Sequence, residues 1–365
     1  MQITALSKWI PNLKRPLIIS GPCSAESEEQ MLTTARELVQ IEDVRIFRAG
    51  IWKPRTRPGS FEGNGEKALP WLEKVKKETG LLTSCEVANA QHVELALKYN
   101  VDVLWIGART SANPFAVQEI ADALKGTNIP VMVKNPINAD LALWIGAIER
   151  MSQAGITKLA AIHRGFSTYE KIKYRNNPIW KIPIELKQRM PELPIICDPS
   201  HIAGRRNLVA ELCQKAMDLD MDGLMIESHI NPKEAWSDAA QQVTPEYLAG
   251  LLKGLSLRSE FSPNRTFDAE LEELRGQIDR VDTEIIESLK SRMDIVEKIG
   301  LKKALNKVTP LQMKRMDELM DKRQASAEAL GLDTNYIKEL YKLVHVESIR
   351  KQTHIMNDFK EQEDK

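Results

Sequence analysis

Short apolar runs and amphipathic stretches alternate along the first two thirds of the chain. The apolar runs are Pro16–Ser20, Val44–Ala49, Leu81–Glu86, Val103–Gly107, Pro130–Lys134, Leu159–His163, Pro194–Cys197 and Gly223–Ile226. Their length and β-branched content predict strands. Glu28–Gln40, Ala90–Tyr99 and Arg206–Met217 are among the amphipathic segments between them, and these predict helices. Strand–helix alternation implies parallel strands. Eight repeats in roughly 250 residues predict a (β/α)8 TIM barrel. An open doubly wound sheet would more often carry a Gly-rich dinucleotide turn after its first strand, and there is none here.

The pattern changes after Arg258. Ser259-Glu260-Phe261-Ser262-Pro263-Asn264 reads as a linker. Leu271, Leu274, Ile278, Val281, Ile285 and Leu289 then repeat at three and four residues, the spacing of an amphipathic helix. No stop signal follows until about Asn306, so the helix would be roughly 55 Å long. That exceeds what so small a domain needs, and it predicts packing against a partner chain. Thr309-Pro310 predicts the start of a second helix, with Thr as N-cap and Pro at the first helical position. Gly331 and Asp333 mark the start of a third. The expected organisation is a barrel over 1–258, a linker over 259–267 and an all-α three-helix domain over 268–365.

Composition narrows the function. Lys+Arg and Asp+Glu are both 51 among 365 residues, so no global field points to nucleic acid or an anionic membrane. Charge must act locally, in sites. Four scattered cysteines without a Cys-x-x-Cys pair argue against a disulfide framework and for a reducing cytoplasm. Met1 to Lys14 lacks an apolar core for a signal peptide, and no run approaches a membrane span.

In such barrels chemistry sits at the C-terminal ends of the strands. Those ends carry Cys23, Arg48, Lys53-Pro54-Arg55-Thr56, Glu86, Arg109, Lys134, His163-Arg164, Asp198 with His201, Glu227 and then Asp238. Cys23, His201, Glu227 and Asp238 suggest a divalent metal site of mixed soft and hard ligands. Each alone reads more readily as a core cysteine or a solvated or paired loop residue; the shared placement at strand ends brings the metal reading level with that one. Arg48, Lys53, Arg55, Arg109, Lys134 and Arg164 follow different strands and would repel at one mouth unless anions neutralise them. Phosphate or carboxylate substrates are therefore expected. The alternative pairs these cations with acids such as Glu26, Glu62, Glu86 and Asp102.

Five ordered motifs carry a resemblance: Gly21-Pro22-Cys23-Ser24-Ala25-Glu26-Ser27, Lys53-Pro54-Arg55-Thr56, Ile106-Gly107-Ala108-Arg109-Thr110, His163-Arg164-Gly165 and Asp198-Pro199-Ser200-His201. Over residues 1–257 the chain resembles the compact bacterial 3-deoxy-D-arabino-heptulosonate 7-phosphate synthases. The resemblance implies condensation of phosphoenolpyruvate with erythrose 4-phosphate. It implies one divalent ion (Mn, Zn, Fe or Co) on Cys23, His201, Glu227 and Asp238. Arg48, Lys53, Arg109, Lys134 and Arg164 would hold phosphoenolpyruvate, and Lys53, Arg55 and Thr56 the erythrose 4-phosphate. Lys53 is the candidate for handling the proton at the aldehyde oxygen. The sister family that makes 3-deoxy-octulosonate 8-phosphate shares barrel and phosphoenolpyruvate, but carries a different motif at Lys53-Pro54-Arg55-Thr56.

In the helical part, Arg292 and Lys303 stand eleven residues apart, within about 20° on one helix face, and Arg275 is displaced from Lys303 by about 80°. Ser348 and Gln352 share a face of the third helix. By themselves these read as ordinary solvated helix residues. With Arg315, their spacing resembles the all-helical chorismate mutases. That resemblance implies an intertwined homodimer in which Arg275 crosses into the partner's site. Arg275, Arg292 and Arg315 would hold chorismate's carboxylates, with Ser348 nearby, and Lys303 and Gln352 would face the ether oxygen. Gln312 and Met316 depart from the acidic residues of many relatives, which favours the rival reading of a non-catalytic sensor or dimerisation module. Feedback by chorismate or prephenate through this domain is expected, needing a coupling of only ~1–3 kcal/mol.

Overall fold

The computed structural model describes residues 1–54, 59–169, 172–258 and 264–363. The chain divides into two compact units, Met1–Glu260 and Phe261–Lys365.

The first unit is a closed barrel of eight parallel strands: β1 Leu17–Gly21, β2 Val44–Arg48, β3 Leu82–Val87, β4 Val103–Ile106, β5 Val131–Lys134, β6 Leu159–His163, β7 Ile195–Cys197 and β8 Gly223–Glu227. Closure runs from Leu17 opposite Gly223 to Gly21 opposite Glu227. Each predicted strand is present within a residue or two. The runs are continuous because strands of a parallel barrel are buried on both faces. Leu17 and Ile19, Val103 and Trp105, and Ala160 and Ile162 point inward, while Ile18, Leu104 and Ala161 pack outward under the helices.

The helices between and after the strands are α1 Glu28–Leu38, α2 Leu69–Thr79, α3 Ala90–Lys98, α4 Pro114–Leu124, α5 Leu141–Gln153, α6 Lys181–Arg189, α7 Pro199–Ala203, α8 Val209–Asp218 and α9 Pro245–Lys253. Side chains set their starts. Ser27 caps α1 and Asn89 caps α3, each accepting a backbone N–H of the first turn. Leu6, Trp9 and Ile10 join the barrel interior, and Thr4 N donates to Thr157 O at 2.8 Å just before β6. The N-terminal segment thus plugs the end opposite the strand C-termini. Gly21 has φ +149°, and a Cβ there would lie 2.1 Å from the Arg48 carbonyl oxygen. Only glycine lets β1 run this close to β2 and turn toward Cys23.

The second unit holds α10 Arg265–Leu305, α11 Met313–Ala329 and α12 Thr334–Glu363. At 41 residues α10 is about 60 Å long. It starts inside the segment read as a linker, because Asn264 Oδ1 accepts from the backbone N–H groups of Thr266 and Phe267. The expected helix start at Thr309-Pro310 is not observed. Lys303 Nζ takes the Pro310 carbonyl at 2.7 Å, and Val308 N bonds back to Lys303 O at 2.9 Å. Residues 306–312 therefore form a connector, and α11 begins at Met313. Asp333 does cap α12, its Oδ1 accepting from Tyr336 N at 2.7 Å. Gly300 lets α10 approach α12 closely: a Cβ there would meet Gln352 Cα at 3.3 Å.

Candidate functional site

Arg48 ends β2, Lys134 ends β5 and Glu227 ends β8, so barrel closure brings them to one mouth. Arg48 is 2 % exposed and Glu227 fully buried, and Arg48 Nη1 donates to Glu227 Oε1 at 2.8 Å. Arg48 Nη2 reaches the Cys23 carbonyl at 3.3 Å, and its guanidinium lies 4.9 Å from the Trp105 ring centroid. Lys53 Nζ donates to the same carbonyl at 2.9 Å and stands 2.8 Å from Cys23 Sγ. That sulfur is 3.5 Å from Asp238 Oδ2.

Asp198 organises the other side. Its Oδ1 accepts from His201 N at 3.1 Å, capping α7, while its Oδ2 accepts from Lys134 Nζ at 2.7 Å. The same Oδ2 lies 2.8 Å from His201 Nδ1, outside hydrogen-bond alignment, which leaves His201 Nε2 3.7 Å from Glu227 Oε1. Donor atoms of Cys23, Glu227 and Asp238 lie within 4.8 Å of one another. His201 stands outside that trio but beside it, its Nε2 3.7 Å from Glu227 Oε1, so sulfur, oxygen and nitrogen donors are neighbours here. Such a set suits borderline divalent transition metals rather than magnesium or calcium. Asp198 stands where a carboxylate commonly supports a ligating imidazole, at contact distance from Nδ1.

Electrostatics suits ligation at the carboxylates and at His201 and opposes it at Cys23, where ligation needs the thiolate. Burial, then the Glu227 charge, pushes the Cys23 thiol up to about 12. Burial also works against the Asp238 charge, but Arg175, His201 and Lys53 outweigh it and hold the carboxyl well below the usual range. Asp198 is lowered in the same sense, against its burial, by His201 and Lys134. Burial keeps His201 neutral against the pull of Asp198, and a neutral ring can ligate. Of the acids considered as alternative partners, Asp102 pairs with Lys76 and Glu26 bonds Ser24 and His229, whereas Glu86, which accepts from Trp105 Nε1, lines the same mouth as the cations.

A cavity of about 340 Å³ opens at this mouth. Lys53, Arg109, Lys134, Arg164 and Arg175 line it, against Glu86, Asp238 and His201. Even with Lys134 paired to Asp198 and Arg175 to Asp238, cations outnumber carboxylates in this lining, which suits an anionic ligand. Arg55 and Thr56 lie outside the described residues. Arg175 and Gln241 were not anticipated. Arg175 Nη1 donates to Asp238 Oδ1 at 3.0 Å and to Gln241 Oε1 at 2.9 Å, and Gln241 Nε2 donates to Glu227 Oε2 at 2.7 Å. The pair ties two carboxylates together. Arg175 sits on the irregular stretch after β6 that also carries Arg164, which was its one signal in the sequence. Arg164 is itself held by Asn176 Oδ1 at 2.7 Å.

The helical unit has its own cavity, about 650 Å³. Arg292, Lys303, Arg315, Ser348 and Gln352 line it together. Arg292 Nη1 donates to Ser348 Oγ at 2.6 Å. Burial lowers both the Arg292 and Lys303 side chains from their ordinary values. Gln312 and Glu318 also line this cavity; Met316 does not. Arg275 is absent from it. It lies 17 residues from Arg292 along the same helix, about 25 Å away, and pairs with Glu272.

The first unit is a (β/α)8 enzyme barrel whose mouth is built for a multiply anionic substrate. Residues 9–258 match the model of the DAHP synthetase I family, and the chain belongs to that family. Residues 274–353 match chorismate mutase type II, so a mutase domain follows the barrel and the chain carries both activities. The Phospho-2-dehydro-3-deoxyheptonate aldolase of Thermotoga maritima is 34% identical over 236 residues, 65% of this chain and 68% of that protein. A 2-dehydro-3-deoxyphosphooctonate aldolase of Wolinella succinogenes is 29% identical over 268 residues, 67% of this chain and 99% of that protein. The solved DAHP synthase of Thermotoga maritima superposes with a TM-score of 0.61 at 29% identity, covering 69% of this chain and 72% of that one.

His163, grouped with Arg164 in the sequence, turns away from the cavity. Its ring packs 5.2 Å from Trp180, 5.7 Å from Phe166 and 6.4 Å from Trp144, with the Pro178 backbone as its nearest polar neighbour. Burial, reinforced by Arg164, pushes it down to about 3. A folded pKa below the unfolded value means that the stability is present above about pH 6.5 and lost as pH falls toward 3. His163→Phe removes this titration. In urea unfolding between pH 6.5 and 5, the wild-type barrel transition is expected to lose up to about 1.4 kcal/mol per pH unit relative to the variant. Parallel curves would show that His163 is not buried neutral.

Proposed function

We propose that the barrel condenses phosphoenolpyruvate with erythrose 4-phosphate in a metal-dependent reaction, and that the helical domain converts chorismate to prephenate as a homodimer. The observation that carries the first part is the convergence of Cys23, His201, Glu227 and Asp238 beside a cavity lined by five cations. When bound there, a Mn, Zn, Fe or Co ion supplies Lewis acidity to the aldehyde oxygen. Arg109, Lys134 and Arg164 hold the phosphoenolpyruvate phosphate and carboxylate, with Arg48 behind them. Lys53, Arg55 and Thr56 hold the erythrose 4-phosphate. Neutralising and orienting two anions in one cavity brings their carbons to reacting distance. Lys53, next to Cys23, is placed to handle the proton at the aldehyde oxygen. No helix is long and apolar enough to cross a membrane among the described residues, and all four cysteines are buried and free, which supports a cytoplasmic enzyme.

In the helical cavity Arg292 and Arg315 take chorismate's carboxylates. Lys303 and Gln352 stabilise the ether oxygen as the pericyclic transition state loosens. The partner subunit completes the site. Leu274, Ile278, Val281, Ile285, Ile286 and Leu289 are all exposed on α10, far more apolar surface than a lone helix leaves in water. Seating that half of α10 on a second copy would bring Arg275 to the partner's cavity. The ligands of this domain lie downstream of the barrel's product, which supports its use as a feedback sensor.

Treatment with a chelator is expected to abolish condensation, restored by Mn, Zn, Fe or Co, and to leave chorismate turnover unchanged. Condensation that survives complete metal removal would sink the metal assignment. Arg292→Ala is expected to lose chorismate turnover at least ~100-fold and to make condensation insensitive to prephenate. Unchanged inhibition in that variant would place the sensor elsewhere. The pair Ile278→Asp and Ile285→Asp is expected to sediment as a monomer without mutase activity; a fully active monomer would refute the shared site.

A further inference from the structure

The face of α12 that lines the helical cavity carries His345, Ser348 and Gln352, spaced three and four residues apart. Ser348 is satisfied: it accepts from Arg292 Nη1 at 2.6 Å and donates to Val344 O at 2.6 Å. Its two neighbours are not. His345 Nε2 and Gln352 Oε1 are buried atoms without a hydrogen-bond partner. Proteins keep few such atoms, because each one forgoes its bonds to water without replacement. Both residues line the cavity, so either atom gains its missing partner if the side chain turns toward a ligand bound there.

We propose that His345 is a substrate-contacting residue of the mutase site, its ring accepting a hydrogen bond from the ring hydroxyl of chorismate. The inference rests on reading this cavity as the chorismate site. Chorismate carries two carboxylates, an ether oxygen and one hydroxyl, and the cations serve the first three. The hydroxyl needs an acceptor. Met316 offers only a thioether and does not line the cavity; Gln312 does line it, and is the rival acceptor that the His345 variants distinguish. Glu318, the carboxylate among the lining residues, stands 3.4 Å from Arg315 and is committed to it. Burial, with the charges of Arg292 and Lys303, holds the His345 imidazole below its ordinary value, so it keeps a lone pair at neutral pH. A neutral acceptor also adds no positive charge to a wall that already has Arg292 and Lys303.

The test compares the full-length wild type with His345→Leu and His345→Gln, on chorismate and on the analogue that lacks the ring hydroxyl. On chorismate, His345→Leu is expected to lower kcat/KM about tenfold, the usual worth of one such bond. His345→Gln, which keeps an acceptor, recovers most of that loss. The wild type should handle the analogue about tenfold less well than chorismate, and His345→Leu should lose nothing further on it. Equal losses on both substrates would overturn the proposal and leave His345 as packing. So would unchanged kinetics on chorismate. Far-UV circular dichroism and the condensation rate of the same samples report on folding. Arg292→Ala is run beside them: if it keeps full turnover, the site assignment itself fails, whatever His345 does.

Discussion

Arg48 and Glu227 meet at 2.8 Å inside a barrel that leaves Arg48 2 % and Glu227 0 % exposed. Everything at the mouth is arranged around keeping that buried charge compensated. Removing one member of such a pair leaves the other uncompensated in a low-dielectric interior, typically at a cost of about 3–5 kcal/mol. The neighbouring groups follow the same logic. Asp198 faces Lys134 and His201, and Asp238 faces Arg175. Lys53 stands against Cys23. Asp238 and Glu227 each have a cation at contact distance that holds the carboxylate ionised, whereas burial keeps the Cys23 thiol protonated in the absence of an ion. The cations that line the cavity outnumber its carboxylates, which suits an anionic ligand.

The helical unit solves a different problem with the same means. Its reaction needs no nucleophile and no metal, only fixed charge around a substrate whose own bonds rearrange. Two helices supply it by close approach. Gly300 lets α10 reach α12 where Gln352 sits, and Arg292 is tied to Ser348 across the same gap. The first half of α10 leaves its apolar face in water. A helix of this length is stable there only if something covers it, because propensity alone holds a helix weakly and packing does the rest. The two units therefore differ in self-sufficiency. The barrel buries both faces of every strand within itself, and the helical hairpin does not.

The secondary structure was largely legible in the chain because its signals are local. Eight continuous apolar runs became eight strands within a residue or two, and the three- and four-residue repeat of Leu271 to Leu289 became α10. The start of α11 was misread. Thr309-Pro310 has the composition of a helix start, but Lys303 claims the Pro310 carbonyl, and α11 begins at Met313. That bond comes from the end of α10, and no window around Thr309 contains it. His163 shows the same limit: it ends β6 beside Arg164, yet its ring faces outward while Ile162 before it faces the interior.

The sequence by itself determined which residues could do chemistry and that they would gather at one end of a barrel, because strand period and strand order are written locally. Only the tertiary structure decided which charge meets which. Arg48 and Glu227 are 179 residues apart, and Cys23 and Asp238 are 215 apart. Such pairs depend on the register in which β1 closes on β8, a property of the whole sheet. The same holds for Arg175 against Asp238 and for His345 between two cations. Their roles arise from what is packed beside them, and neither residue stands in a motif that announces it.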